Sequence, residues 1–489
     1  MKSFKFIPLV IFGVGNLVAL YANGQSTLTT KIDSLINEYY SRDQFSGTVL
    51  ISRDSKTIYL KSFGGANAKG NIKNQNTTRY DIGSIGKVFT ATLILKQVEL
   101  GRLKLTDSLK HLLPEYHFYN GDKITVKDLL SHTSGIGNYM SPMYDKEKAK
   151  IKSIDSVIPF ILNSPEFVNK PYGNYNYSNS GYIILGKILE QILKTDYGSI
   201  VTNQIFIPLG MRQTGSYCFI NNNASGYAID NLNRKIYDST EKSCVNFSDG
   251  GVYSTVEDMH KFDNALFSGK ILNENSMQLM QTPVDPIAEY GLGLETDKYF
   301  GIQGYGHNGS TPYSKSDYRR FPSVKTTIIF LANTSNLVSR ELSKNILAVL
   351  TNHEIIPPKI KLEIYLAKVL DEKGSSYVKE KFETLINSFG YVINSDNLLN
   401  GFGYDLMNAN RVDDAVVIFT INTILFPNIA NTYDSLAEAY LKNGDKEKSD
   451  LYYKKALQIA RIIKTRNKYS YDRNNKLFWE KSEEVYNVL

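Results

Sequence analysis

Two β-patterned stretches, far apart in the chain, set the strongest limit on how this sequence can fold. Residues 45–64, FSGTVLISRDSKTIYLKSFG, alternate around a polar centre at Arg53-Asp54-Ser55-Lys56, which reads as a hairpin. Residues 326–333, TTIIFLAN, are a β-rich apolar run of the kind found in buried strands. What lies between them is largely helical. From Lys87 the pattern VFTATLILKQVELGRL spaces its apolar positions by three and four, and Gly101 closes it. Thr125 precedes Asp128 by three residues, a capping-box arrangement that satisfies early helical amides. A further helix start is read at Ser254-Thr255-Val256-Glu257. Strands at both ends and helices between them predict an α/β (α+β) fold. The chain ends would share one antiparallel sheet flanked by helices, and the middle would form a helical layer of its own.

The character changes after Pro357-Pro358, where the chain becomes rich in Lys, Glu, Leu and Tyr. Gly403, Leu406, Ala415 and Phe419 recur thirty-four residues later as Ala437, Tyr440, Ser449 and Tyr453. Pro427 ends the first unit, and Asn443-Gly444 turns within the second. Small residues mark where paired helices approach, and large ones fill between them. This period and pattern resemble a tetratricopeptide repeat, with helices in 359–395 and 473–487 expected as flanking turns and caps. The plainer alternative is an unspecific helical tail.

The N-terminus carries a secretory layout. Lys2 and Lys5 precede FIPLVIFGVGNLVAL, and Ala22-x-Gly24 offers a small-residue cleavage site. The apolar run of about fifteen residues is short for a membrane span, so an uncleaved anchor is the secondary reading. The expected division is a signal peptide at 1–24, a main domain at 28–354 and a small all-α repeat domain at 359–489. Secreted or periplasmic localisation follows, with no stable membrane span after cleavage. The net charge of +7 is spread among interspersed acidic and basic residues, which excludes a nucleic-acid footprint. Cys218 and Cys244 are the two cysteines, and the sequence leaves open whether they are bridged. Six dispersed histidines without H-E-x-x-H give no metal pattern.

Within DIGSIGKVFT, Ser84 and Lys87 are three residues apart at the start of the apolar helix, and so share a face. There a lysine amine can touch the serine oxygen, and it can act as base if burial or nearby positive charge lowers its pKa. Ser-x-x-Lys is weak by itself, because Ser239-Thr240-Glu241-Lys242 repeats it in a polar run. On the motif alone, a helix N-cap explains Ser84 equally well. Two further stretches add weight. Tyr177-Ser178-Asn179 stands immediately before another apolar helix, where a phenol can relay a proton and an amide can orient a lysine or a substrate carbonyl. Tyr172-Gly173-Asn174 offers the same Tyr-x-Asn in another register. His307-Asn308-Gly309-Ser310 precedes the late strand. Glycine there lets the backbone approach a ligand, and the Ser310 amide could face an oxyanion alongside that of Ser84.

Taken in order, Ser84-x-x-Lys87, Tyr177-Ser178-Asn179 and His307-Asn308-Gly309 resemble the beta-lactamase-related serine hydrolases. That group includes class C beta-lactamases, D,D-carboxypeptidases, D-aminopeptidases and family VIII-type esterases. LKLTDSLKHLLPEY, ITVKDLLSHTSGI, GGVYSTVEDMHKF and YGLGLE extend the likeness over about residues 28 to 350. The resemblance implies a beta-lactamase/transpeptidase-like fold and a two-step acyl transfer without a cofactor. Ser84 would be the acylated nucleophile, and Lys87 and Tyr177 would share the general base. Asn179 would orient Lys87 and the substrate carbonyl, and His307 would sit at the substrate's far side beside Gly309. The amides of Ser84 and Ser310 would form the oxyanion hole. One departure matters. Class C beta-lactamases and most penicillin-binding enzymes have Lys-Thr-Gly as the third motif, and its fixed charge helps hold a substrate carboxylate. Here that position is His307, which is neutral for much of the time near pH 7.

The expected function is therefore an exported serine hydrolase acting on an ester or amide, as an esterase, amidase or D-aminopeptidase-like enzyme. A D,D-carboxypeptidase or beta-lactamase is the alternative. A Ser-His-Asp hydrolase is disfavoured because position 82, where G-x-S-x-G needs glycine, is isoleucine. From another class comes an inactive scaffold serving the repeats. Expected partners are a small-molecule or peptide substrate and, through the repeats, a protein or peptide.

Overall fold

The computed structural model describes residues 13–67, 71–163, 172–219, 221–240, 244–285 and 287–466. Residues 1–12 of the expected signal peptide and the helix expected at 473–487 lie outside these. The described residues fall into two compact units, one within Met1–Ala228 and Tyr237–Pro358, the other within Ile229–Ile236 and Lys359–Leu489. No helix among the described residues is long and apolar enough to cross a membrane.

Among the described residues there are ten strands: β1 (Gly47–Arg53), β2 (Lys56–Phe63), β3 (Tyr80–Asp81), β4 (Tyr227–Ile229), β5 (Lys235–Tyr237), β6 (Tyr253–Ser254), β7 (Glu295–Tyr299), β8 (Ile302–Ser310), β9 (Lys315–Phe321) and β10 (Thr326–Ala332). Six of them make one antiparallel sheet in the order β2-β1-β10-β9-β8-β7. The early and late segments of the first unit meet at β1 and β10, in register from Gly47 opposite Ala332 to Arg53 opposite Thr326. The β1–β2 turn is made by Asp54 and Ser55, both at positive φ (49° and 62°), the twist that two-residue hairpins favour.

β10 is buried along its whole length, and β1 along all but its last residue, so helices cover both faces. Behind the sheet, Val49, Ile51, Ile328 and Phe330 pack with Ile32, Leu35 and Ile36 of the helix Gly13–Ser41, and with Leu342 and Ile346 of Ser339–Thr351. In front, Leu50, Ile329 and Leu331 join the larger core built on the helices Gly86–Glu99, Asn179–Leu193 and Val256–Phe267. Phe89 anchors that layer, its ring edge-on to Phe262 at 4.7 Å and to Phe206 at 5.3 Å. The capping box at Thr125 and Asp128 is formed. The later helix start falls one residue beyond the expected pair: Thr255 is the cap and accepts from the amide of Asp258, because Ser254 is held in β6. Cys218 and Cys244 are joined by a disulfide.

The second unit is helical. Its last four described helices begin at Asp396, Val412, Ala430 and Lys446, so both starts of one pair recur thirty-four residues on. Gly403 is needed because a Cβ there would meet the Phe419 ring at 2.5 Å. Residues 229–236, an excursion from the middle of the chain, belong to this unit. Leu232 is buried in its core, and Asn231 donates to Asp405 at 2.8 Å.

Candidate active site

The turn holding Ser84 is set by Gly83, which lies at φ +52° and whose amide donates to Asp81 Oδ1 at 3.0 Å. Residues Gly83–Ile85 form a short 3-10 turn that runs directly into the helix Gly86–Glu99, so Ser84 sits inside a helical turn rather than before one. No side chain caps either start, and the Ser84 hydroxyl instead accepts from Lys87 Nζ at 3.0 Å.

Lys87 is fully buried. Its other partners are Asn179 Oδ1 at 2.7 Å and the Asp249 carbonyl at 2.8 Å, both oxygens that can only accept. Burial lowers its pKa to about 8, against the opposing pull of Asp249 and Glu295. A neutral amine must spend its two N–H bonds on Asn179 and Asp249, so its lone pair is left facing the Ser84 hydroxyl. That arrangement suits a base poised to take the serine proton.

Tyr177 and Asn179 flank Ser178, whose hydroxyl caps the helix Asn179–Leu193 by accepting from the Gly181 amide. The Tyr177 ring centroid lies 5.1 Å from Lys87 Nζ. Burial pushes its phenol well above the usual range, and a hydrogen bond with Ser84 pulls it partly back. In the alternative register, Tyr172 is exposed and its hydroxyl donates to the Lys123 carbonyl and to Asp128, away from Ser84. The second Ser-x-x-Lys, at Ser239, lies partly outside the described residues.

The third stretch enters from β8. A Cβ on Gly309 would meet the Ile82 carbonyl oxygen at 1.9 Å and Ser316 Oγ at 2.3 Å, so only glycine lets β8 come this close to the serine turn. The Ser310 amide nitrogen lies 2.9 Å from where a side chain on Gly83 would begin. His307 is arranged differently from the expectation that it meets a substrate. It is 1% exposed, with Nδ1 bonded to the Asn308 carbonyl at 2.6 Å and Nε2 to the Tyr290 hydroxyl at 3.0 Å. Burial lowers its pKa to about 4 although Glu295 opposes this, so the imidazole is neutral.

Several residues around this site have no spacing that marks them as partners of Ser84 or Lys87. His132, at φ +60°, lies tilted against the Tyr177 ring with centroids 4.2 Å apart, and its Nδ1 accepts from the Ser178 amide. Its Nε2 is buried without a hydrogen-bond partner. Asp249 presents its carbonyl to Lys87 and accepts from the Tyr139 hydroxyl at 3.0 Å. Burial raises its carboxyl pKa, with Lys87 and Tyr139 pulling the other way. On the neighbouring strand β7, Glu295 accepts from both the amide and the side chain of Asn308, and bonds Arg319. Arg319 is fully buried and also pairs with Asp297 and Asp317. Arg340 closes the network at 3.3 Å from Glu295 and 3.4 Å from Asp297. Burial alone would raise the Glu295 pKa, but Arg319, His307 and Arg340 together hold it at about 2. Among the described residues, no three His, Cys, Asp or Glu side chains converge as metal ligands.

Comparison with known proteins places this geometry. The Beta-lactamase family model matches residues 32–353. A protein of Bacillus subtilis (strain 168) named as a penicillin-binding protein, PbpX, is 30% identical over 322 residues, covering 65% of this chain and 78% of the relative. The octameric penicillin-binding protein homologue from Pyrococcus abyssi superposes with a TM-score of 0.60 at 27% identity, over 70% of this chain and 81% of that one. A D-amino acid amidase from Ochrobactrum anthropi SV3 shares the fold at a TM-score of 0.59 and 22% identity, over 66% of this chain and 99% of that one.

Proposed function

The chain belongs to the beta-lactamase family of serine hydrolases, and on that premise we propose that it hydrolyses an ester or amide through an acyl-enzyme on Ser84. The observation that carries this reading is the Lys87 amine, 3.0 Å from Ser84 Oγ and with a pKa of about 8. Ser84 Oγ attacks the substrate carbonyl carbon, and its proton passes to the neutral fraction of Lys87. The phenol of Tyr177 stays protonated near neutral pH, so it acts as a relay beside Lys87 rather than as the resident base. Asn179 fixes the amine and orients the substrate carbonyl. The amides of Ser84 and Ser310 hold the oxyanion. Collapse breaks the bond to the alcohol or amine, which leaves with the proton, and water then releases the acid by the reverse sequence. His307 acts in this scheme as a neutral strut for β8, and Gly309 supplies the close approach.

Treating the protein with a fluorophosphonate, and separately with penicillin, tests the nucleophile. Covalent label should appear on wild type and be absent from Ser84→Ala. Equal labelling of the two would remove Ser84 from the mechanism. The penicillin arm separates a penicillin-binding activity from an esterase or amidase activity. Gly309→Ala probes the oxyanion amide, because its methyl group must part β8 from Ile82. A fall of about 10²- to 10³-fold in kcat is expected on p-nitrophenyl esters, and a variant within threefold of wild type would contradict the assignment.

The signal-like N-terminus and the penicillin-binding relatives support export to the periplasm or outside the cell. Helix starts recurring at thirty-four residues support reading the second unit as a tetratricopeptide-like pair, suited to a protein or peptide partner.

A further inference from the structure

Tyr177 is held in place from a distant segment of the chain. The amides on either side of it both donate to His132, that of Asn176 to the His132 carbonyl at 2.8 Å and that of Ser178 to Nδ1 at 3.2 Å. Between these two bonds the imidazole lies against the phenol ring, with centroids 4.2 Å apart and planes 34° from parallel. The same phenol ring meets the Lys87 amine, 5.1 Å from its centroid. His132 in turn stands on a fixed base. The helix Val126–Leu130 begins at the Thr125–Asp128 capping box, and just after His132 the Thr133 amide donates back to the Asp128 carbonyl at 2.9 Å.

A histidine is a costly choice at this position, and the cost points to a use. His132 is the second residue past the end of its helix and sits at φ +60°, where glycine or asparagine is the usual occupant. Backbone strain of this kind persists where the surroundings hold a residue in place. Because Nδ1 accepts from an amide, the neutral ring carries its proton on Nε2, and among the described residues that buried N–H has no hydrogen-bond partner. Glycine would relieve both costs. It would also remove the Nδ1 acceptor and the ring face, the two side-chain features that reach Tyr177. Burial first, then Lys87 and His307, hold the imidazole pKa well below the usual range against the pull of Glu295, so Nδ1 is free to accept at neutral pH. Tyr175, Tyr182 and Tyr290 also contact the imidazole, which seats it firmly.

We infer that His132 is a positioning residue for the acyl transfer, fixing the backbone and ring of Tyr177 so that the phenol stays beside Ser84 and Lys87. This inference rests on the acyl-transfer reading, and the experiment separates the two. The readout is fluorophosphonate labelling of Ser84, taken as the maximal rate and the concentration that gives half of it. His132→Gly suits the backbone and deletes acceptor and ring, and His132→Leu deletes the acceptor but fills the space. His132→Asn suits the backbone and keeps an acceptor where Nδ1 stands. The first two should lower the maximal rate about 10²-fold, with the half-saturating concentration changed by no more than about threefold. His132→Asn should stay only about three- to tenfold below wild type, its loss being that of the ring alone. In a Tyr177→Phe background each should cost no more than about twofold further, because the group that His132 positions is gone. A merely structural residue would slow both backgrounds alike. Equal losses in the two backgrounds, or His132→Asn no faster than His132→Gly, would overturn the inference while leaving Ser84 as nucleophile. Should His132→Gly and His132→Leu both fail to fold, His132→Asn decides alone: a loss confined to the background with Tyr177 supports the role, and any other result removes it. A wild type that takes no label would sink the acyl-transfer reading itself. Tyr177→Phe labelling at the wild-type rate would remove the relay, and the role of His132 with it.

Discussion

Replacing Lys87 by methionine is expected to slow hydrolysis by about 10³- to 10⁴-fold while the protein remains folded. Methionine keeps most of the buried volume but cannot accept the serine proton. Ser84→Ala/Lys87→Met should be no slower than Ser84→Ala alone, because residues acting as one unit do not add. The same substitution has a stability signature. The folded pKa of Lys87, about 8, lies below its ordinary 10.5, so the unfolded chain holds more protons between these values. The penalty for the buried charge, on the order of 3 kcal/mol, is full below pH 8 and relieved as pH rises to 10.5. Wild-type stability should therefore gain on Lys87→Met across pH 8 to 10.5, read as the difference between their denaturant midpoints. Wild-type activity should rise along a limb near pH 8, absent from the variant's residual rate. A variant within tenfold of wild type at pH 9 would move the base elsewhere.

Arg319→Met is expected to give the largest loss of stability, about 3–5 kcal/mol. The guanidinium is fully buried among Glu295, Asp297 and Asp317, and its removal leaves carboxylates without their main counter-charge. Arg340→Met serves as the contrast. Its side chain is 49% exposed, and such pairs are worth about 0–1 kcal/mol. The pH dependence fixes the sign. In wild type the Glu295 pKa lies at about 2 against 4.5 when unfolded, so its contribution is present above pH 4.5 and lost as pH falls towards 2. Without Arg319 the carboxylates can be relieved only by protonation, so the gap between variant and wild type should narrow in acid. Melting curves at pH 7 and pH 4 decide this, and a gap that widened in acid would contradict the network's charge assignment. Because Glu295 also holds Asn308, the variant should lose esterase activity as well as stability.

What could be read in the sequence was local. The β1–β2 turn, the capping box at Thr125, and the spacings of Ser84 with Lys87 and of Tyr177 with Asn179 all lie within a few residues. At that range, backbone periodicity determines which side chains can meet. The groups that tune the site arrive from other segments. Asp249 contacts Lys87 across 162 residues of chain, and no spacing rule reaches that far. His132 sits among Ser131, Thr133 and Ser134, and Glu295 is followed by Thr296 and Asp297, so nothing local marks either for contact with Tyr177 or Asn308. His307 shows the limit from the other side: its motif lies on β8 beside the serine turn, while its burial against Tyr290 depends on packing that no motif encodes. Leu232, in the mostly polar run IDNLNRKIYDSTEKS, gave no sign that 229–236 belongs with the tail.

That excursion has a consequence for how the chain is made. Residues 229–236 leave the ribosome before all of 237–358, and the helices that bury Leu232 follow later still. At synthesis rates of about 5–20 residues per second, the wait is on the order of ten seconds. Through that interval the segment waits, with an apolar residue at its centre, for the helices that bury it, and the Cys218–Cys244 bond that closes the loop around it needs an oxidising compartment. The helical unit is thus completed by a piece of chain synthesised ahead of it, and a ribosome that stops at Pro358 releases a main unit still carrying that unclaimed segment.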